Sequence, residues 1–438
     1  MLSFLALTLV LSCVTLLLTG KVSPFVTFST IPILVALVAG FSPIEIQGFF
    51  IAGLTKVTPI AVMFIFAILF FSLMQERGLF EPLINTIIKR AGYGVVAIPI
   101  ATVLIATVAH LDGSGASTFL ICIPALLPIY ERLRLSPYLL LLLVSASASV
   151  MNMLPWGGPL GRAASVIQAD PTQLWYPLIP VQVSALIILL IGAYVLGRRE
   201  QARIVHLEEV HPQSTEALNL NDGSSSNRES VEQTSISRSW WINFGMTIGM
   251  ISVLLSGVLP SALVFMIALS VALTLNRLTI AEQQEFMKRN AWSALQMAMI
   301  IFAAGVFLGV LKESKMLHAL AESLMYFLPE IILAHIHIII GFLGAPFELI
   351  LNTDAYYFAL LPIVEQAVQP YAVSGESVVY AMLIGNIIGT FVSPFSPALW
   401  LALGLAKLEI GIYLRYAFGW IWGLSIILML IAWSIGLF

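Results

Sequence analysis

This sequence carries little charge. Asp, Glu, Lys and Arg make up 10% of its 438 residues, against roughly 25% in soluble domains. With a net charge of −3 it also offers no basic face for nucleic acid. Cysteine is nearly absent. Cys13 and Cys122 both lie inside apolar segments, which excludes a disulfide framework and a CxxC metal site. Walker A, GxSxG, HExxH and a GxGxxG in the right context are missing, which argues against an ATP-driven pump or an intramembrane metalloprotease. No Lys or Arg precedes Lys21, and no small-x-small site closes the apolar run at 1–19. That run reads as a retained first span and not as a signal peptide.

What is present is hydrocarbon. Hydrophobic residues reach 59% and mean hydropathy +0.98, and apolar runs of about 20 residues, enough to cross a bilayer as helix, recur along the chain. The fold class expected is an all-α polytopic membrane protein. A polar segment at 198–238, with "RREQAR" and "NDGSSSNRES", reads as a linker without a core. Residues 1–197 give spans near 2–19, 24–40 and 57–75, an amphipathic arm at 79–90, a hairpin at 94–130, a broken helix at 137–165 and a span at 171–197. Residues 239–438 repeat that order, with spans near 239–258, 262–276 and 293–311, an arm at 316–328, a hairpin at 330–368, a broken helix at 376–405 and a span at 416–437. "ALLPIYE" at 125–131 answers "ALLPIVE" at 359–365.

Five full spans per half, an odd number, require the second half to sit upside down relative to the first. Charge placement agrees. With the linker cytoplasmic and both termini on the opposite face, sixteen of the twenty Lys and Arg residues fall on the cytoplasmic side. Only Lys56, Arg162, Lys312 and Lys315 fall on the other. This positive-inside bias orients a plasma-membrane protein, and inverted repeats are a hallmark of secondary transporters whose sites form at the midplane.

Polar residues cluster where spans are interrupted. In "AHLDGSGASTFLICIPALLPIYERL" at 109–133, the limbs at 94–109 and 116–130 are each too short to span and read as a re-entrant helical hairpin. Gly113 and Gly115 relieve its turn, and Ser114, Ser117 and Thr118 open the returning helix, where free N–H groups attract anions. "GAPFELILNTDAYYFALLP" repeats the device, with Asn352 or Thr353 as N-cap and Asp354 in the first turn. Asp112 and Asp354 are costly at membrane depth without partners or a role. The alternative reading makes both tips well-capped turns.

Two further knots, "VMNMLPWGGPLGRAAS" at 150–165 and "IGTFVSPFSPALW" at 388–400, carry paired prolines that must break their helices. Asn152, Gly157, Gly158, Ser393 and Ser396 supply small polar surroundings for a site there. A kink alone explains either pair taken separately. Arg162 either clamps a carboxylate or ends the span at the interface. His110 is either a proton relay or a hydrogen-bonded structural residue, and Glu348 either pairs with backbone or senses protons. Trp156, Trp240, Trp241 and Trp420 read as interfacial anchors.

"LDGSGASTFLICIPALLPIYERL", "MNMLPWGGPLGRAA" and "NTDAYYFALLPI" resemble the signature regions of the citrate–metal ion:proton symporter family, within the ion transporter superfamily. The likeness covers nearly the whole chain outside the linker. It implies a scaffold domain, a transport domain with both hairpins and broken helices, a homodimer and an elevator-like movement. The substrate implied is citrate complexed with Mg²⁺ or Ca²⁺ and driven by protons, with no permanently bound cofactor. By the match of motifs, Asp112, Ser114, Ser117, Thr118, Asn152, Gly157, Gly158, Arg162, Asn352, Thr353 and Asp354 form the site. Ser114 stands where the family has a second acid, and the region around "VSPFSPALW" departs from the family pattern.

The expectation is therefore a carrier that is not an enzyme, moving citrate in the lipid bilayer. Asp112 and Asp354 would take the cation or the coupling proton. Other carboxylates, sodium coupling, an ion antiporter and a non-transporting scaffold are the alternatives.

Overall fold

Proline marks many of the helix starts. Pro24, Pro43, Pro82, Pro137, Pro159, Pro171 and Pro397 each occupy the first or second position of a helix, where the missing N–H would have had no partner anyway. The structure, a computed structural model, describes residues 2–19, 21–92, 94–210 and 237–438. Among them there is no strand. Six helices are long and apolar enough to cross a membrane: Leu2–Thr19, Pro43–Glu76, Pro171–His206, Arg238–Ser256, Ile280–Glu313 and Ile410–Ser434. Shorter apolar helices accompany them, and the chain is a multi-pass membrane protein.

Two helices of 34 residues, Pro43–Glu76 and Ile280–Glu313, cross at the centre of one helix group. The spans read at 57–75 and 293–311 are only their apolar ends. At about 1.5 Å per residue each is far longer than a ~30 Å hydrocarbon core. Hydropathy misses the first 14 and 13 residues, but the capping boxes Ser42–Glu45 and Thr279–Glu282 fix the true starts. Gly53 meets Gly305 and Gly309 at the crossing, and a Cβ on any of them would fall on the partner helix. Pro24–Val38 packs on the second long helix and Ser261–Leu275 on the first.

The remaining elements surround two helical hairpins. Ala97–Ala109, a 3₁₀ turn at His110–Asp112 and Gly115–Arg132 form the first. The second descends through Glu330–Ala334, Ile336–Phe342 and Gly344–Phe347 and returns through a π-helical turn at Ala355–Leu360 into Leu361–Val368. Beside each lies an interrupted helix: Pro137–Met151 resumes at Gly158–Ile167, and Gly375–Ile387 resumes at Pro397–Ala406. Each hairpin packs on the first piece from its own half and on the resumed piece from the other half. Residues from both halves therefore meet at both tips.

The polar segment starts later than the sequence suggests. The helix from Ile179 continues to Val210, because Glu200 pairs with Arg203 at 2.6 Å and accepts from the Ser136 N–H at 3.0 Å, while Arg203 donates to the Arg134 carbonyl at 2.6 Å. These bonds tie a polar helical end to the turn before Pro137. The rest of the expected linker, residues 211–236, lies outside the described residues.

Candidate functional site

At the first tip the turn is left-handed at Gly113, φ +72°, where a Cβ would press on the Trp156 carbonyl and ring at 3.2 and 3.3 Å. The Trp156 indole N–H in turn donates to the Leu111 carbonyl at 2.8 Å, so the first break staples the first tip. Asp112 Oδ1 accepts from the Ser114 N–H at 2.8 Å, and Ser114 caps the returning helix by accepting from the Ser117 N–H at 3.3 Å. The Ser117 hydroxyl donates to Gln75 Oε1, on the first long helix, at 3.3 Å. Beneath the tip Thr118 and Asn152 lie 2.7 and 3.0 Å from the two ring nitrogens of His110. All three are buried. Both nitrogens are occupied, so His110, Thr118 and Asn152 form a closed polar joint, and Asp112, Ser114 and Ser117 are left at the tip itself.

The first break serves a second purpose. A Cβ at Gly157 would fall on the Asn152 backbone, and one at Gly158 would lie 2.7 Å from Arg162 Nη1. These glycines let the chain turn tightly and let the Arg162 guanidinium fold back over the start of its own helix. There Arg162 Nε meets Asp354 Oδ1 at 2.7 Å, with side-chain exposures of 12% and 13%. The Asp354 carboxylate comes from the second hairpin, where Asn352 caps the returning helix by accepting from the Ala355 N–H at 2.8 Å. A guanidinium from the first half thus already grips a carboxylate from the second.

Behind Asp354 the Thr353 hydroxyl donates to Glu348 Oε1 at 3.3 Å, and the Ser393 hydroxyl donates to the Glu348 carbonyl at 2.6 Å. Ser396 stands at the N-cap of the resumed helix with no side-chain capping bond. Phe391, from the second break, packs edge-on to His110 and Phe119 at 5.5 Å. Its ring occupies the space a Cβ on Gly115 would need.

Among the described residues no group of three His, Cys, Asp or Glu side chains comes together to hold a metal ion. Asp354 is engaged by Arg162, and Asp112 sits at the other tip. Sequence reasoning overlooked Gln75, Asn386 and Phe391. Only Asn386 gave a signal, as an amide inside the apolar run "VVYAMLIGNIIGT". Access differs at the two ends. A cleft of about 510 Å³ is lined by Ser72, Gln75, Glu76, Phe80, Ile121 and Asn290, and Gln75 joins it to Ser117 of the first tip. Near Lys56 and Gln168 lie two smaller spaces, one of about 150 Å³ against Asp170 and Ser261 and one of about 10 Å³ against Ser165 and Lys312.

Comparisons with known proteins bear on the fold and the family. A solved structure of the Alcanivorax borkumensis YdaH transporter, described as having an unusual topology, superposes with a TM-score of 0.59 at 16% identity, covering 89% of this chain and 86% of that one. The likeness concerns the fold. In Bacillus subtilis (strain 168), a citrate transporter is 30% identical over 100% of this chain and 99% of its own length. An Mg(2+)/citrate complex secondary transporter of the same organism is 32% identical over 100% and 99%. An uncharacterized transporter, YraO, is 31% identical over 99% and 98%. These relatives are transporters and not enzymes. The citrate transporter family model matches residues 5–385, a range that takes in both hairpins and the first break with its Arg162, and the chain belongs to this family, CitMHS.

Proposed function

We propose that this protein is a secondary carrier that takes up citrate as a complex with a divalent cation, driven by protons. The observation that carries this reading is the Arg162–Asp354 pair at 2.7 Å. A guanidinium that holds one carboxylate in a largely buried place is suited to hold another. A citrate carboxylate takes the place of Asp354 on Arg162, and Asp354 swings aside as the resident countercharge. The metal ion travels ligated by citrate itself, with Asp112, Ser114 and Ser117 facing it from the first tip. The Mg(2+)/citrate relative supports this choice of substrate.

The architecture we assign is two inverted repeats of five spans, each with a re-entrant hairpin. Support comes from the paired 34-residue helices with their capping boxes and from the reciprocal packing of hairpins on resumed helices. We assign the face bearing Arg198, Arg199 and Arg203 to the cytoplasm, a choice the basic-residue bias supports.

Uptake of labelled citrate into proteoliposomes tests the reading. Accumulation should need Mg²⁺ or Ca²⁺ and an inward proton gradient. Equal uptake with chelator overturns the complex as substrate, uptake driven only by sodium overturns proton coupling, and the absence of citrate flux overturns the substrate class.

A further inference from the structure

The second hairpin holds a carboxyl that the substrate grip does not use. Glu348 follows Gly344–Phe347 and is 1% exposed. Oε1 accepts from the Thr353 hydroxyl, while Oε2 is buried with no hydrogen-bond partner. The Asn386 amide, on the interrupted helix Gly375–Ile387, lies near this carboxyl. Its Nδ2 is committed to the Gly344 carbonyl at 3.1 Å, and its Oδ1 is also buried without a partner. Flipping the amide would only turn Oδ1 against that carbonyl. A carboxyl buried this deeply with one oxygen unpartnered is held more cheaply neutral than charged.

We infer that Glu348 carries the coupled proton, an inference that rests on the reading of this chain as a proton-driven carboxylate carrier. The charges around it give the reason. From the first break Arg162 faces Glu348, from its own hairpin Asp354, Tyr356 and Tyr357 lie nearby, and the second break contributes only the uncharged Asn386 and Ser393. With both acids ionised and Arg162 charged, the cluster is net negative and opposes an incoming anion. A proton taken from water by the Glu348 carboxylate makes the cluster neutral, and the anion can then take Arg162. Proton and anion bind together, and each raises the affinity for the other by the same factor. The link is short: Glu348 touches Thr353, and the next residue, Asp354, holds Arg162. Asp354 suits the task less well, because its countercharge is in place whether or not a proton arrives.

Glu348→Gln keeps the shape and fixes the neutral form. In proteoliposomes charged with citrate and Mg²⁺, accumulation driven by a pH gradient should be lost. Citrate exchange in the variant should run at one rate across the pH range over which the parent's rate changes. Glu348→Asp, which restores an acid, should recover pH-dependent exchange, an outcome a purely structural role does not give. If Glu348→Gln accumulates citrate as the parent does, or keeps the parent's pH profile, the inference falls while the carrier reading stands. If the parent itself moves no citrate, the carrier reading falls and takes the inference with it. Should the Gln variant not reach the membrane, calorimetry of citrate plus Mg²⁺ binding to the parent in two buffers of different ionisation enthalpy decides. Uptake of about one proton per substrate supports the inference, and none overturns it.

Discussion

Arg162 and Asp354 are the clearest case of two residues whose meaning depends on each other. In the sequence Arg162 reads equally well as a clamp or as the end of a span. The pair at 2.7 Å shows that Arg162 holds a carboxylate of the protein itself, and no sequence pattern predicts that this partner lies 192 residues away. Removing one member of a largely buried ion pair leaves an uncompensated charge, at a cost of about 3 kcal/mol. Arg162→Ala should therefore lower thermal stability in detergent and abolish citrate uptake. Asp354→Asn should destabilise similarly. The double variant should regain most of the stability, because neither charge is left alone, yet it should still not transport. Strictly additive losses in stability would show that the two side chains do not depend on each other. Tip residues such as Asp112 and Ser114 were readable because turns and caps are local. His110, Thr118 and Asn152 were not readable as one joint, since it is made across 42 residues.

Helix starts depend on a few adjacent residues, and for that reason the interruptions at Pro159 and Pro397 can be read from sequence, as can the capping boxes at Ser42 and Thr279. Helix contacts depend on which faces approach, and here glycine decides without announcing itself. Gly341, on the descending limb of the second hairpin, and Gly385, on the interrupted helix, pack backbone to backbone, so a Cβ on either would strike the other strand of chain. Gly53 does the same between the long helices. Gly48 and Gly404 are also helical, yet a Cβ on them meets nothing within 4 Å. Overpacking of this kind costs about 1–3 kcal/mol. Gly53→Ala and Gly385→Ala should lower the melting temperature of the purified protein, whereas Gly48→Ala and Gly404→Ala should leave it unchanged or slightly raised, since alanine favours helix. Uniform effects at all four positions would mean that helix propensity and not close approach sets the outcome. The five glycines look alike in the sequence, and only the crossing geometry separates them.

At the scale of the whole molecule, the long helices with Pro24–Val38 and Ser261–Leu275 form one group, and the hairpins with the interrupted helices form another. An alternating-access carrier must open the site between such groups at one end while closing it at the other. The end near Glu76 is open, with its cleft of about 510 Å³. At the opposite end Lys312, on the second long helix, ties the groups together: its ammonium donates to Glu365 Oε2 on the second hairpin and to the Val166 carbonyl beside the first break, each at 3.1 Å. Lys56 and Glu313, also 3.1 Å apart, tie the two long helices together beside it. Lys312 is thus a latch between the groups. A partly exposed pair of this kind contributes about 1 kcal/mol, enough to move an equilibrium between two states about fivefold. Lys312→Met should accordingly shift the protein toward opening at this end. Maleimide should label a Ser165→Cys probe about five times faster in that background, because Ser165 lines the closed space. A Ser72→Cys probe in the open cleft should be labelled more slowly. The native Cys13 and Cys122 are buried and add little background. Glu365→Gln should act in the same direction, since it removes the other half of the pair. Labelling of Ser165→Cys at the parent's rate in both backgrounds would assign closure to the glycine crossing at Gly53 and Gly309 instead, and the latch would then be a consequence of the closed state and not one of its causes.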